Sequence, residues 1–253
     1  MLTPDEINTY HEKGYVTPDY RLPAALLDDI RSRHDRLLQA HPEFDNYCPS
    51  LLAYDTGFLA AARDETLLAM VQQLIGPDIA LWNSSFFAKP ANGGHATPWH
   101  QDGEYWPIEP LATCTVWIAI DAATPENGCL QVIPGSHKEQ RLRQHNTNNA
   151  SDLTLNQELD QAEFDSNAAE FIELEPGQVS LHDVYLVHGS DANHSEHSRR
   201  GMTLRIMPTS SYYNRQTAHE KAVAGGFLDH SERTLYLLGG VDQSGRNDFS
   251  QRQ

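Results

Sequence analysis

At 253 residues, 39% of them hydrophobic, the chain is long enough for one large domain or two small ones and apolar enough for a packed core. Its formal charge of −17, from 18 basic against 35 acidic residues, argues against nucleic acid and large polyanions, whose binding rests on Lys and Arg neutralising phosphates. No run approaches the ~18 apolar residues of a membrane span, and the N-terminus lacks the basic and apolar regions of a secretion signal, so a cytoplasmic protein without a membrane partner is expected. Cys48, Cys114 and Cys129 match neither a disulfide framework nor a zinc pattern and read as reduced core or loop residues.

In chain order, Thr3-Pro4-Asp5-Glu6 predicts a helix start, with Thr3 as N-cap, Pro at the first helical position and Glu three residues after the cap; Gly14 ends it before a short strand, Tyr15-Val16. Apolar residues near a 3.6 period predict a second helix over Ala24–Ala40, and a third, over Asp64–Ile75, stops at Gly76-Pro77. Residues 1–77 therefore read as a helical part that covers a sheet. Beyond Pro77 come short runs rich in β-branched and aromatic residues: Ile79–Ala88, Leu111–Ala122, Cys129–Ile133, Phe171–Leu174, Val179–Leu181, Tyr185–His188 and Gly201–Met207. Many short strands without intervening helices predict an antiparallel sandwich or barrel over 78–210. The polar stretch Ser136–Glu170 reads as a long loop, of the kind that serves as an active-site lid, and 211–253 as a C-terminal tail. The whole is read as one domain.

Within Thr97–Trp106 a histidine and a carboxylate stand two residues apart, His100 and Asp102, in a run that reads as extended. On a strand such residues share a face and can take neighbouring positions on one metal. Two histidines and one carboxylate with open positions is the facial arrangement of non-haem Fe(II) oxygenases. The second histidine must come from another strand, and His182 and His188 are both candidates. Arg199, Arg200 and Arg205 follow, and an arginine fork suits bidentate capture of a carboxylate such as that of a 2-oxoacid.

The chain resembles the phytanoyl-CoA dioxygenase family of Fe(II)- and 2-oxoglutarate-dependent oxygenases. The resemblance is carried by Glu12–Val16, Trp99-His100-Gln101-Asp102, Thr115–Ala119, Asn127-Gly128-Cys129-Leu130, Ile133-Pro134-Gly135-Ser136-His137, and His188-Gly189-Ser190 followed by Asn193, Ser195 and Arg199. It implies a double-stranded β-helix, the cupin-like jelly roll, mainly β with N-terminal helices flanking it. It implies His100, Asp102 and His188 as iron ligands, with Asp183 in a position that sets His182 aside. Arg199 becomes the anchor for 2-oxoglutarate, with Trp117 and Ser190 lining that pocket and O2 as the oxidant; Arg200 and Arg205 remain alternatives for the anchor. The implied reaction decarboxylates 2-oxoglutarate to succinate while hydroxylating a small-molecule substrate. Halogenating relatives lack the carboxylate ligand, and Asp102 is present. Trp82, Trp99, Tyr105 and Trp106 lie near the site in sequence and suggest a cationic group held by cation–π contact, weighed against simple packing. The alternative to catalysis is a cupin-like protein that binds a metal or small ligand without turnover.

Overall fold

The computed structural model describes residues 1–225 and 229–252. The first helix, Pro4–Lys13, is set by its ends: Thr3 Oγ1 accepts from the Glu6 amide and the Glu6 carboxylate accepts from the Thr3 amide. Gly14 closes it at φ +86°, where a Cβ would also collide with the His137 ring. Ala24–Ala40 turns Leu27, Ile30, His34 and Leu37 inward, and Glu65–Ile75, capped by Asp64, buries Leu67, Met70 and Val71. The span between them, left unassigned by the sequence reading, adds the short helices Leu51–Tyr54 and Leu59–Ala62 and the strand Tyr47–Cys48.

Among the described residues, the long sheet is seven-stranded and antiparallel. Its path runs Tyr15–Val16, Val179–Asp183, Cys114–Ala119, Arg199–Pro208, Ile79–Lys89, Tyr236–Gly239, with Tyr47–Cys48 also on Ile79–Lys89. A four-stranded sheet, Glu170–Ile172, Leu130–Val132, His188–Ser190, Thr97–His100, lies across from it. Alternation divides the long sheet cleanly. Cys114, Val116, Ile118, Met202, Leu204 and Ile206 pack on the helices, whereas Thr115, Trp117, Arg199, Thr203 and Arg205 face a pocket shared with the smaller sheet. Two antiparallel sheets face to face make the jelly roll expected from the sequence.

Three expectations change. Tyr185–His188 is not a strand: Val184 and Tyr185 form a turn and pairing begins at His188, in His188–Ser190. The reason is that Asp183 Oδ1 takes the Tyr185 amide at 2.8 Å and Ser136 Oγ takes the Val187 amide at 2.9 Å, so side chains satisfy these donors instead of a ladder. Ser136–Glu170 is not structureless, since His145–Thr147 pairs with Gln157–Leu159. Residues 211–253 are not a mere tail, because they contribute the helix Arg215–Gly225 and the strand Tyr236–Gly239, which pairs with Ile79–Leu81.

His34 is a costly group in the core. It is fully buried and stacked on Phe86 at 4.0 Å between ring centroids, and neither ring nitrogen has a partner among the described residues. Burial, reinforced by Arg200, lowers its pKa from 6.5 to about 4. Between those values the unfolded chain takes up a proton that the folded chain refuses, so stability falls as pH drops through that window. The full loss from this ring is about 3 kcal/mol at 1.36 kcal/mol per unit. Urea unfolding of His34→Leu at pH 7 and pH 4.5 should show a shallower pH slope than the native protein. An unchanged slope would remove His34 from the acid response.

Candidate metal centre and its pocket

His100 is the last residue of strand Thr97–His100, and Asp102 opens a 3-10 turn, Asp102–Glu104, so the two do not share a strand as the sequence suggested. They still face one point because Gln101 between them stays extended (φ −114°, ψ 131°). Gln101 is fully buried and clamped: its amide donates to His145 Nε2, its Nε2 to the Arg141 and Tyr185 carbonyls, and its Oε1 accepts from the Arg143 amide. It thereby ties the triad turn to the 136–170 segment and to the turn before His188. Nothing in the sequence beyond its place inside H-x-D singled Gln101 out.

The donor atoms of His100, Asp102 and His188 lie within 4.8 Å of one another, and all three residues are buried. His100 Nε2 is 3.7 Å and His188 Nε2 4.0 Å from Asp102 Oδ1. The opposite nitrogens are spoken for: His100 Nδ1 donates to the Pro98 carbonyl at 2.8 Å and His188 Nδ1 to the Leu186 carbonyl at 2.9 Å. A carbonyl can only accept, so each ring carries a proton on Nδ1 and turns its Nε2 toward Asp102. Burial would raise the Asp102 pKa, but His100, His182, His188 and Arg205 outweigh it and hold the carboxyl well below the usual range. Burial and the His100 ring push His188 well below its ordinary value. Asp102 is thus an ionised carboxylate and His188 a neutral imidazole, the forms that bind a divalent metal without first shedding protons. His182 stands apart, with Nε2 3.5 Å from the other carboxylate oxygen, Oδ2, which also accepts from Thr115 Oγ1 at 3.2 Å.

Past the triad, the pocket ends on Arg199, which is 2% exposed. Its Nε and Nη2 both donate to the Gly128 carbonyl at 3.1 and 2.7 Å, Nη1 donates to the Phe87 carbonyl at 3.1 Å, and Nη2 reaches Ser190 Oγ at 3.4 Å. The Trp117 ring lies 5.4 Å from the guanidinium carbon, flat where Gly201 has no side chain to obstruct it. Burial lowers the Arg199 pKa to about 10. Among the described residues it has no carboxylate partner. Arg200, in contrast, is committed to Asp121 and Asp35 at 2.8 and 2.9 Å and points away from the pocket. Arg205 lies at the other end of the same pocket and donates to Ser85 Oγ at 2.7 Å. Lys89, which the sequence reading passed over as the end of a strand, is 2% exposed, donates to the His95 carbonyl, and is drawn down to about 6 by burial beside Arg199. A lysine closing an apolar strand was its only signal.

A family profile described as Phytanoyl-CoA dioxygenase (PhyH) matches residues 10–201. The chain belongs to the phytanoyl-CoA dioxygenase family. It is similar to a phytanoyl-CoA dioxygenase domain-containing protein 1 homolog of Dictyostelium discoideum, 33% identical over 80% of this chain and 68% of that one. A probable alpha-ketoglutarate-dependent hypophosphite dioxygenase of Stutzerimonas stutzeri is 31% identical over 54% of this chain and 48% of its own length. Alignments to several such curated relatives span about half the length of those proteins. Among solved structures, a non-heme monooxygenase, ThoJ in its apo form, superposes with a TM-score of 0.76 over 98% of this chain and 88% of its own at 21% identity, which speaks for the shared fold.

Within this family framework His182 and His188 separate by experiment. Manganese titration calorimetry should find stoichiometric binding abolished in His188→Ala, whereas His182→Gln, which touches only the far oxygen of Asp102, should weaken it about tenfold. The opposite order would exchange their roles.

Proposed function

We propose that the protein is an Fe(II)- and 2-oxoglutarate-dependent dioxygenase that hydroxylates a small metabolite, with His100, Asp102 and His188 holding iron. The observation that carries this reading is the pairing of a preset facial donor set with Arg199, a buried cation that lacks a carboxylate at the far end of the same pocket. A buried, unpaired guanidinium is expensive, and an incoming diacid would supply its missing partner. Arg199 would bind the distal carboxylate of 2-oxoglutarate, assisted by Ser190, with Trp117 flanking it. The donor set fits iron because two imidazoles and one carboxylate, gathered on one side, would leave the metal's other positions open. When bound, iron supplies the oxidising power, with 2-oxoglutarate going to succinate and carbon dioxide as oxygen enters a substrate C–H bond.

The chain's own work is positional. Pro98 and Leu186 carbonyls orient the two imidazole rings, and Thr115 steadies the second oxygen of Asp102. The inner pocket shares Asp102 and Arg205 with a larger cavity beside it. The name of the hypophosphite relative and the family itself support 2-oxoglutarate as co-substrate. A cytoplasmic location belongs to the same proposal, supported by three buried cysteines that are free.

Incubation with Fe(II), 2-oxoglutarate and a metabolite extract should release succinate in step with oxygen uptake; a cupin-like binder would release none. Arg199→Lys should raise the KM for 2-oxoglutarate about 30-fold, from ~2 kcal/mol for a lost charge-assisted fork, with manganese affinity within twofold of native. Arg200→Lys should leave that KM where it was. An unmoved KM in Arg199→Lys would take the anchor away from it.

A further inference from the structure

A second, larger cavity of about 770 Å³ adjoins the triad pocket and shares Asp102 and Arg205 with it, so whatever fills it sits against the metal centre. Its size is that of a drug-sized ligand. The walls are aromatic, with Trp82, Tyr105, Trp106 and Tyr213, and the segment 148–157 covers one side. Trp99, grouped with these by sequence, is elsewhere, against Phe164 and Gly189.

Aromatic walls suggest a cationic ligand, but here the protein's own cations already lie over three of the rings, Trp106, Trp82 and Tyr213. The Arg205 guanidinium lies 5.0 Å from the Trp106 ring, and that of Arg233 lies 5.6 Å from Trp82 and 5.7 Å from Tyr213. Stacking holds each guanidinium by its face and leaves its N–H edge for hydrogen bonding. Those edges are poorly used. Arg205 makes one bond, to Ser85 Oγ, and its Nε is buried without a partner. Arg233 has only long contacts, 3.3 Å to the Trp82 carbonyl and 3.4 Å to Ser50 Oγ, and its Nε is likewise unpartnered. Among the described residues neither forms an ion pair, in a chain whose acidic residues outnumber its basic ones 35 to 18. The acidic side chains in the cavity wall are Asp102, committed to the triad, and Glu104, whose carboxylate lies 3.7 Å from His145 Nδ1. Lys221 adds a further cation to the wall.

We propose that the substrate is an anion, an apolar or ring-sized body bearing a carboxylate or phosphate, and that Arg205 and Arg233 receive the charged group. The word substrate rests on the oxygenase reading; the anion site does not. Charge-assisted contacts to two desolvated guanidiniums fix orientation, and the shared position of Arg205 sets the carbons nearest the anionic group toward the triad. A cation entering the same cavity would meet the like charges of Arg205, Arg233 and Lys221, with the rings of Trp82, Trp106 and Tyr213 already engaged.

The test uses the full chain with manganese and saturating 2-oxoglutarate, so that Arg199 is occupied. Fluorine NMR titrations compare 4-fluorobenzoate and 4-fluorophenyl phosphate with the neutral 4-fluorobenzamide and the cationic 4-fluorobenzyltrimethylammonium. At least one anion should bind tenfold or more tightly than the amide, and the cation more weakly than either. Arg233→Gln should erase the anion's advantage, Arg233→Lys should restore part of it, and Arg205→Gln should act like Arg233→Gln. Equal affinities, a preference for the cation, or an anion preference that survives Arg233→Gln would overturn the proposal. If Arg205→Gln fails to fold, the isosteric comparison on the native protein and the two Arg233 variants still decide. Separate calorimetry of 2-oxoglutarate binding reports on the oxygenase reading alone: no heat there would sink that reading, while the Arg233 series would still judge the anion site.

Discussion

The strand Arg199–Pro208 places inside the barrel two guanidiniums, Arg199 and Arg205, that form no ion pair among the described residues, and much of the site follows from that. Its inward face reads Arg199, Gly201, Thr203, Arg205, and its outward face carries Met202, Leu204 and Ile206 into the helix-covered core. Alternation thus delivers two guanidiniums to one pocket, one at each end, with Asp102 the carboxylate that lines the space between them. A slip of one residue in register would bury Arg200 instead and strip Asp121 and Asp35 of their partner. The pairing of ten residues with Ile79–Lys89, the longest ladder in the fold, prevents that slip up to a bulge between Arg205 and Ile206. Past the bulge Met207 joins the cluster around Trp82 and Trp106. The extra residue of the bulge is Trp82 on the partner strand, and Trp82 lines the second cavity.

The motifs that made the family recognisable act mostly as supports. Asn127 caps a tight turn and donates to the Ala122 carbonyl, which presents Gly128 at φ +78°; a Cβ there would strike the Asp191 carbonyl. The result is one backbone oxygen that accepts two hydrogen bonds from Arg199. In Pro134-Gly135-Ser136-His137, the Gly135 amide donates to the Lys13 carbonyl and Ser136 holds the Val187 amide next to His188. These side chains touch no reactant. They set the carbonyls and turns on which the reacting side chains hang.

This division explains what could be read from the sequence. The helices, their caps and most strands were legible because capping and alternation are local. Spacing and resemblance singled out His100, Asp102, His188 and Arg199, which the fold brings to one pocket. Tyr185–Val187 was misread because an apolar run looks like a strand whether a ladder or Asp183 and Ser136 take its amides. The C-terminal residues were opaque for a different reason: Tyr236–Gly239 gains its meaning from Ile79–Leu81, more than 150 positions away, and Arg233 from Trp82. Lys89 and Gln101 are ordinary residues whose burial alone marks them, and the half-buried Arg233 is marked by its unpartnered Nε and the rings beside it.

The charge layout separates the surface from the site. A chain of net charge −17 repels a dissolved anion at long range, whereas Arg199, Arg205, Arg233 and Lys221 attract it within the cavities. At physiological ionic strength the long-range part fades over about 8 Å, while contacts in a desolvated pocket are screened far less. Affinity and approach are then governed by different residues. Binding strength belongs to the buried guanidiniums, and added salt should relieve the surface repulsion that slows entry even as it weakens the final contact. An anion admitted against that gradient must be held by shape and paired hydrogen bonds, not by bulk attraction. The fold supplies both, because the guanidinium edges are fixed by the aromatic rings on which their faces rest.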